Sequence, residues 1–256
     1  MCHETTARPP LPPISGGAGA ASSRSMVLEA ADGNRSRAFG ATAIDPEAPA
    51  VVILPDVRGL HPFYEQLAAR FAEVGIHATA IDYFGRTAGL DERDEDFDFR
   101  AHVPQITTEG LKDDVAAGIA FVRSDAGGGA DQVFAVGFCL GGRFSFNTAA
   151  DQDVDGVIGF YGGPQGTGPD DERAPVRLAP SYRAPVLGLF GGADEHIPEE
   201  TLDRFRDTLT DAGVRNEIVI YDGAPHSFFD RSFEQHCEAC DDAWRRVLRF
   251  VGGSNA

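Results

Sequence analysis

The stretch VFAVGFCLGGRF, residues 133–144, puts a cysteine where chemistry is to be expected. An apolar run leads straight into Gly137-Phe138-Cys139-Leu140-Gly141, and an amphipathic stretch follows. This is the G-x-nucleophile-x-G pattern of a strand-to-helix elbow, in which glycines two residues either side permit the sharp turn that aims the side chain away from the sheet. Backbone N–H groups and the positive end of the helix dipole favour an anion at that position. Such a nucleophile needs a base and a group to orient the base, in the order acid then histidine, each just after a strand. Two segments meet that requirement. GLFGGAD ends in Asp194, 55 residues after Cys139, and DGAPHSF carries His226, 32 residues later. Glu195 and His196 are the alternative acid and base, but His196 adjoins the acid and is badly placed to be held by it. The chemistry that follows is attack of a thiolate on an acyl carbon, with His226 then activating water to release the acid.

Hydropathy periodicity supplies the elements that must hold these residues. Runs at 26–30 and 39–43 read as an antiparallel lead-in, and the fully apolar 51–54 as a buried parallel strand. Phe63, Leu67, Phe71 and Val74 recur at helical spacing over 61–74, with Gly75 as the terminator. Then come strand 78–82, helix 110–123, strand 133–138, helix 141–149, strands 157–161 and 186–190, helix 198–212, strand 217–221 and a last helix around 232–251. Strands alternating with helices imply a parallel sheet covered on both faces. The long irregular connections 85–109 and 162–183 are expected to border the site. Residues 1–25, rich in Pro, Gly, Ala and Ser, read as an N-terminal strap or tail, and 26–256 as a single domain.

Composition bounds the partners. The 256 residues are 42% hydrophobic and 24% charged, enough for one well-buried core. With 40 acidic against 22 basic side chains the net charge is −18, which repels nucleic acid and anionic membrane surfaces. No apolar run reaches the length of a membrane span, no secretory segment is evident, and four cysteines do not make a disulfide framework. A cytoplasmic monomer or homodimer with reduced thiols is the expectation. His236, Cys237 and Cys240, with Cys2 and His3, raise a zinc reading, but a structural site normally comes from a knuckle turn rather than a helix. No metal or cofactor is expected; a disulfide from Cys2 to Cys237 or Cys240 is the minor alternative, and the thiols other than Cys139 are otherwise expected to be inert. The glycines at 16–19 lack the flanking strand and helix of a phosphate loop, and the acidic run 91–98 reads as a solvated loop face.

Four segments together, LPDVRG (54–59), GFCLGG (137–142), LFGGAD (189–194) and GAPHSF (223–228), resemble the dienelactone hydrolase family of the α/β-hydrolase fold. The resemblance covers about 26–251. Cysteine in the elbow is its specific part, because other hydrolases of this fold generally carry serine there. It implies a mostly parallel twisted sheet of about eight strands, helices on both faces and no separate cap domain. It makes Cys139 the nucleophile, His226 the base and Asp194 the orienting acid. The oxyanion donors would be the backbone N–H of Leu140 and, from the loop after 51–54, that of Val57. Asp56 aligns with a glutamate that holds the thiol proton while the site is empty, although Asp is one methylene shorter. It reads equally as a cap for the helix beginning near His61 or as a solvated side chain.

The implied substrate is a small-molecule ester or lactone, such as 4-carboxymethylenebut-2-en-4-olide opened to maleylacetate. A thiolate leaves better than most alkoxides, so adducts with poor leaving groups revert, and activated esters and enol lactones are favoured over amides. An anionic substrate must overcome the charge of −18 through local arginines. Arg58, Arg86, Arg143 and Arg231 lie near the expected site loops. The family's carboxylate-binding arginines are not matched position for position, Arg231 standing five residues after His226 and one place off. Tyr83, Phe138 and Phe228 are candidates for lining an apolar pocket. A broad carboxylesterase or thioesterase with the same triad is the alternative. A thiol sensor or binding protein is less favoured, since it needs neither Asp194 nor His226.

Overall fold

A computed structural model of the chain describes residues 8–13, 20–167 and 171–252. Cys2, His3, the glycines at 16–19 and most of the expected strap lie outside the described residues. Two compact units emerge, Met1–Val133 and Phe134–Ala256.

The first unit runs β1 (Ala20–Glu29), β2 (Arg35–Ala43), β3 (Ala50–Leu54), α1 (Pro62–Glu73), β4 (His77–Ile81), α2 (Gly85–Ala88), α3 (Phe99–His102) and α4 (Thr108–Arg123). Its strands lie in the order β1-β2-β4-β3, with the pairs β1–β2 and β2–β4 antiparallel and β3 parallel to β4. All five residues of β3 and all five of β4 are buried. Successive strand side chains point to opposite faces, so burial of every residue means cover on both. β1 begins at Ala20 rather than at the apolar run 26–30. Its small polar start, from Ser22 to Ser25, pairs with residues 39–42 of β2 through the backbone, which an edge strand can do without an apolar face.

The connection expected to be irregular, 85–109, folds instead into α2, α3 and a 3-10 turn at Val103–Gln105. The acidic side chains of 91–98 are exposed as expected, but Arg93 among them is buried. It forms an ion pair with Asp82 at 2.8 Å, donates to the carbonyls of Ala88 and Gly89 at 3.3 and 2.6 Å, and stacks over Phe97. Burial pushes the Asp82 carboxyl up, and the Arg93 guanidinium opposes it.

The second unit runs β5 (Val133–Phe138), α5 (Leu140–Asp151), β6 (Gly156–Phe160), α6 (Pro175–Leu178), β7 (Val186–Gly191), α7 (Glu199–Asp211), β8 (Asn216–Tyr221) and α8 (Cys237–Gly252). The strands follow one another in chain order, each parallel to the next, with a helix in every crossover. β5, β6 and β7 are buried throughout, whereas β8 is buried only at Tyr221. Rings fill this core: Phe138 stacks on Phe160 at 4.6 Å, and Phe229 packs against Trp244. The last helix starts at Cys237, five residues later than its periodicity predicts, because 232–236 turn first, His236 N–H donating to Ser232 and Phe233 carbonyls.

The eight strands make the mostly parallel sheet of an α/β-hydrolase fold, without a separate cap among the described residues. No described helix is long and apolar enough to cross a membrane. Replacing Arg93 by Ala leaves the Asp82 carboxyl buried without its counter-charge. The expected cost is about 3–5 kcal/mol in urea unfolding, and a loss below about 1 kcal/mol, the range of a surface pair, contradicts a structural role for the pair.

Candidate active site

The elbow is built from glycines that let two backbones meet. A Cβ on Gly137 would stand 1.9 Å from the Gly141 carbonyl oxygen, so the first turn of α5 folds directly back over the end of β5. Cys139 is forced into φ 54°, ψ −113° between them. Its N–H donates to Phe160 O at 3.0 Å, and its carbonyl accepts from Arg143 N–H at 3.1 Å. The backbone is thus pinned on both sides while the residue keeps partial exposure. Leu140 opens α5, and its N–H is one of the first-turn donors that have no acceptor within the helix.

Asp194 stands three residues beyond β7 and His226 five beyond β8, on adjacent parallel strands. A second close approach joins their loops. A Cβ on Gly191 would meet Ala224 O at 2.2 Å, Ala193 N–H donates to that carbonyl at 2.9 Å, and Gly192 N–H donates to Tyr221 O at 2.8 Å. The result is His226 Nδ1 at 2.6 Å from Asp194 Oδ2, while Asp194 Oδ1 accepts from the His196 N–H at 2.9 Å. Burial works to raise the Asp194 carboxyl, and the hydrogen bond and charge of His226, with the His196 amide, outweigh it, holding the group below the usual carboxylate range. An ionised carboxylate only accepts, so Nδ1 carries the proton of this bond and Nε2 is the ring nitrogen that Asp194 does not engage.

The Tyr161 ring lies 5.0 Å from that of His226 and 6.2 Å from that of Phe138, the residue before Cys139. His196, the alternative base, packs its ring edge-on to His226 at 5.6 Å and serves Asp194 through its amide. Among the described residues, Cys139, Tyr161 and Ser227 are the non-glycine residues with positive φ. One is the elbow cysteine, one packs on His226 and one follows it. Strain of this kind, about 1–3 kcal/mol each, persists where surrounding structure over-determines a functional geometry.

The other candidates in this unit are engaged or packed. Phe138 and Phe228 are buried core rings. Arg143 is ion-paired with Asp171, whose carboxylate also accepts from the Thr167 amide and hydroxyl and the Arg173 amide at 2.9–3.0 Å. Asp171 lies 28 residues away in an irregular connection, where no periodicity announces it. Burial works against its charge, and those amides with Arg143 bring it down to about 2. Arg231 has a long contact of 3.5 Å with Asp230, and its Nε and Nη2 are buried without a hydrogen bond.

In the first unit, Asp56 is neither a helix cap nor solvated. It is 1% exposed and accepts from Arg58 Nε at 3.0 Å and from the Arg58 amide at 2.8 Å, and His61 caps α1 without a side-chain bond. Burial works to raise Asp56, and Arg58 outweighs it, keeping the carboxyl low. The loop is braced from both sides: Asp56 N–H donates to Tyr64 Oη at 3.0 Å, and Tyr83 Oη donates to the carbonyls of Pro55 and Asp56 at 2.8 Å. Tyr83 is therefore a buried strut, and Val57 sits half-buried in the loop it braces. Arg86 is held by Asp32 and Asp114. Among the described residues no group of three His, Cys, Asp or Glu is arranged to hold a metal ion.

The depressed Asp171 carboxyl stabilises the fold fully above its ordinary value near 3.8, and the contribution fades as pH falls toward about 2. Asp171→Asn is expected to cost about 1–2 kcal/mol at pH 7 by urea unfolding, with the gap to the unmodified protein narrowing below about pH 4. A gap that widens there contradicts the assignment.

The geometry agrees with what the chain is similar to. The profile of the Dienelactone hydrolase family matches residues 37–254. A Salmonella typhimurium protein named "Putative carboxymethylenebutenolidase" is 31% identical over 215 residues, covering 81% of this chain and 78% of its own. The "Carboxymethylenebutenolidase" of Rhodococcus opacus is 31% identical over 218 residues, covering 80% and 83%. The crystal structure of a "Putative Dienelactone Hydrolase" from Klebsiella pneumoniae superposes with a TM-score of 0.74 at 26% identity, covering 91% of this chain and 99% of that one. The chain belongs to the dienelactone hydrolase family.

Proposed function

We propose that this hydrolase opens an enol lactone or cleaves an activated ester through an acyl-cysteine intermediate. The observation that carries the reading is the bond of His226 Nδ1 to Asp194 Oδ2, in the same unit as a cysteine held at positive φ at the head of α5. In this mechanism His226 Nε2 takes the proton of Cys139, and the thiolate sulfur adds to the carbonyl carbon. The Leu140 N–H receives the developing oxyanion. Collapse expels the enolate or phenolate oxygen, which takes the proton from the His226 imidazolium, and leaves a thioester on Cys139. Water, deprotonated by His226, then adds to the thioester and releases the acid and the free thiol. Asp194 stays ionised and stabilises the imidazolium at each transfer.

The arginines bear on the acyl part. Arg58, Arg86 and Arg143 each already hold a carboxylate of the protein. Of the four candidates Arg231 is the one whose ion pair with the protein is long, 3.5 Å to Asp230, and it lies on the loop after His226. This favours a lactone carrying a carboxylate, the carboxymethylenebutenolide type, over a neutral ester. The second reading, a broad carboxylesterase, needs no such arginine.

Cys139→Ala is expected to abolish hydrolysis of p-nitrophenyl acetate and of the dienelactone alike, and Cys139→Ser to leave roughly a thousandth or less. Mass spectrometry of the unmodified protein should trap an acyl group on Cys139, and full activity in Cys139→Ala would falsify the mechanism. Arg231→Ala should lower kcat/KM for the dienelactone by about 10- to 100-fold and leave p-nitrophenyl acetate unchanged. An equal effect on both substrates would favour the broad esterase.

A further inference from the structure

The hydrolytic reading leaves two of the second unit's three cysteines unused, and these are arranged very differently from one another. Cys237 is the first residue of α8 and is exposed, its Sγ donating to Glu234 O at 3.1 Å. Cys240 lies one turn on, 1% exposed, its Sγ donating to Phe228 O at 3.5 Å. Residues at i and i+3 share a helix face, about 5–6 Å apart at Cβ. A disulfide needs roughly 4 Å. The difference is small, and it falls in a first turn, where the leading N–H groups lack partners within the helix and the backbone can tighten most readily. Burial, with Cys237 and Asp241, pushes the Cys240 thiol up to about 12. The exposed thiol is therefore the one to react first, and the buried one the partner that follows.

Access is open. A cavity of about 630 Å³ between the β8 edge and the start of α8 is lined by Tyr221, Asp222, Glu234, His236, Cys237 and Asp242, among others. Arg246 also lines it and pairs with Asp242, but Asp222, Glu234 and Glu238 leave the lining net negative, which disfavours an anionic reagent and admits a neutral or cationic one.

We propose that Cys237 and Cys240 form a reversible dithiol–disulfide centre, oxidised by hydroperoxides or by neutral or cationic disulfides, and distinct from the nucleophile Cys139. With a hydroperoxide, Cys237 as thiolate attacks the terminal oxygen and the O–O bond breaks. The products are a sulfenic acid on Cys237 and an alkoxide or hydroxide that takes up a proton. The Cys240 sulfur then displaces hydroxide from the Cys237 sulfur and gives up its own proton, so two thiols and one hydroperoxide become one disulfide, water and an alcohol. With a disulfide, Cys237 first forms a mixed disulfide and expels one thiolate, and Cys240 expels the second. The closed loop is short and adds little entropic stabilisation, so external thiols reopen it. Closure also removes the S–H that Cys240 gives to Phe228 O, two residues after His226.

The test uses the full-length native protein treated with hydrogen peroxide, cystamine or glutathione disulfide, quenched in denaturant with iodoacetamide and digested with trypsin. The peptide from Ser232 to Arg245 contains both thiols and is read by mass. The expected product has lost two hydrogens relative to the reduced peptide, regains them with dithiothreitol, and forms roughly tenfold faster with cystamine than with glutathione disulfide. In Cys240→Ser, cystamine should instead leave a cysteamine adduct on Cys237. Cys237→Ser, an exposed change outside the hydrolytic machinery, should keep full hydrolase activity and form no intrapeptide disulfide. Complete alkylation of both thiols under conditions that oxidise Cys139 would overturn the proposal. So would a bond that forms only after unfolding, or one that joins Cys237 to Cys2.

Discussion

The contact between the end of β5 and the first turn of α5 constrains everything else in the second unit. With a Cβ only 1.9 Å from the Gly141 carbonyl, position 137 admits no side chain, and Cys139 between them takes φ 54°, ψ −113°. Its cost in local strain is offset by two backbone hydrogen bonds and by the parallel pairing of β5 with β6. The same economy recurs at Gly191 and Ala224, where removal of a side chain brings the loops after β7 and β8 into hydrogen-bonding contact and so sets Asp194 against His226. Both the elbow and the Asp194–His226 pair thus rest on backbone proximity rather than on side-chain packing.

Charge is managed locally. A chain of net charge −18 is expected to be short of cations at any anion-binding site, and most of the arginines singled out from sequence are committed to protein carboxylates. These pairs have structural work: Asp56 with Arg58 shapes the loop braced by Tyr64 and Tyr83, and Arg143 with Asp171 organises the turn around Thr167 and Arg173. Arg93 turns an acidic loop inward by giving Asp82 a counter-charge. The global field therefore says little about an individual site, because the low dielectric of a buried pair outweighs distant charges screened by solvent.

Three described cysteines occupy three chemical environments. Cys139 is half-buried and strained, Cys240 is buried with its thiol raised, and Cys237 is open to solvent at a helix start. Their sequence contexts, an elbow and a C-x-x-C pair, differ enough to separate Cys139 from the other two. Burial alone distinguishes the members of the pair.

What the sequence determined by itself was whatever short-range geometry encodes. The elbow, the strand preceding each of Asp194 and His226, and the alternation of strands and helices were all legible, because glycine spacing and hydropathy period act within a few residues. The buried strands β3 to β7 matched their apolar runs within a residue or two. The polar start of β1 was not legible, since its pairing is carried by backbone groups that every sequence possesses. Nor were the partners of Arg93 and Arg143, nor the ring of Tyr161 on His226, nor the burial of Cys240 beside the exposed Cys237. Those depend on which residues far apart in the chain are brought together, and only tertiary structure decides that, by choosing which charges lose their water and must find each other.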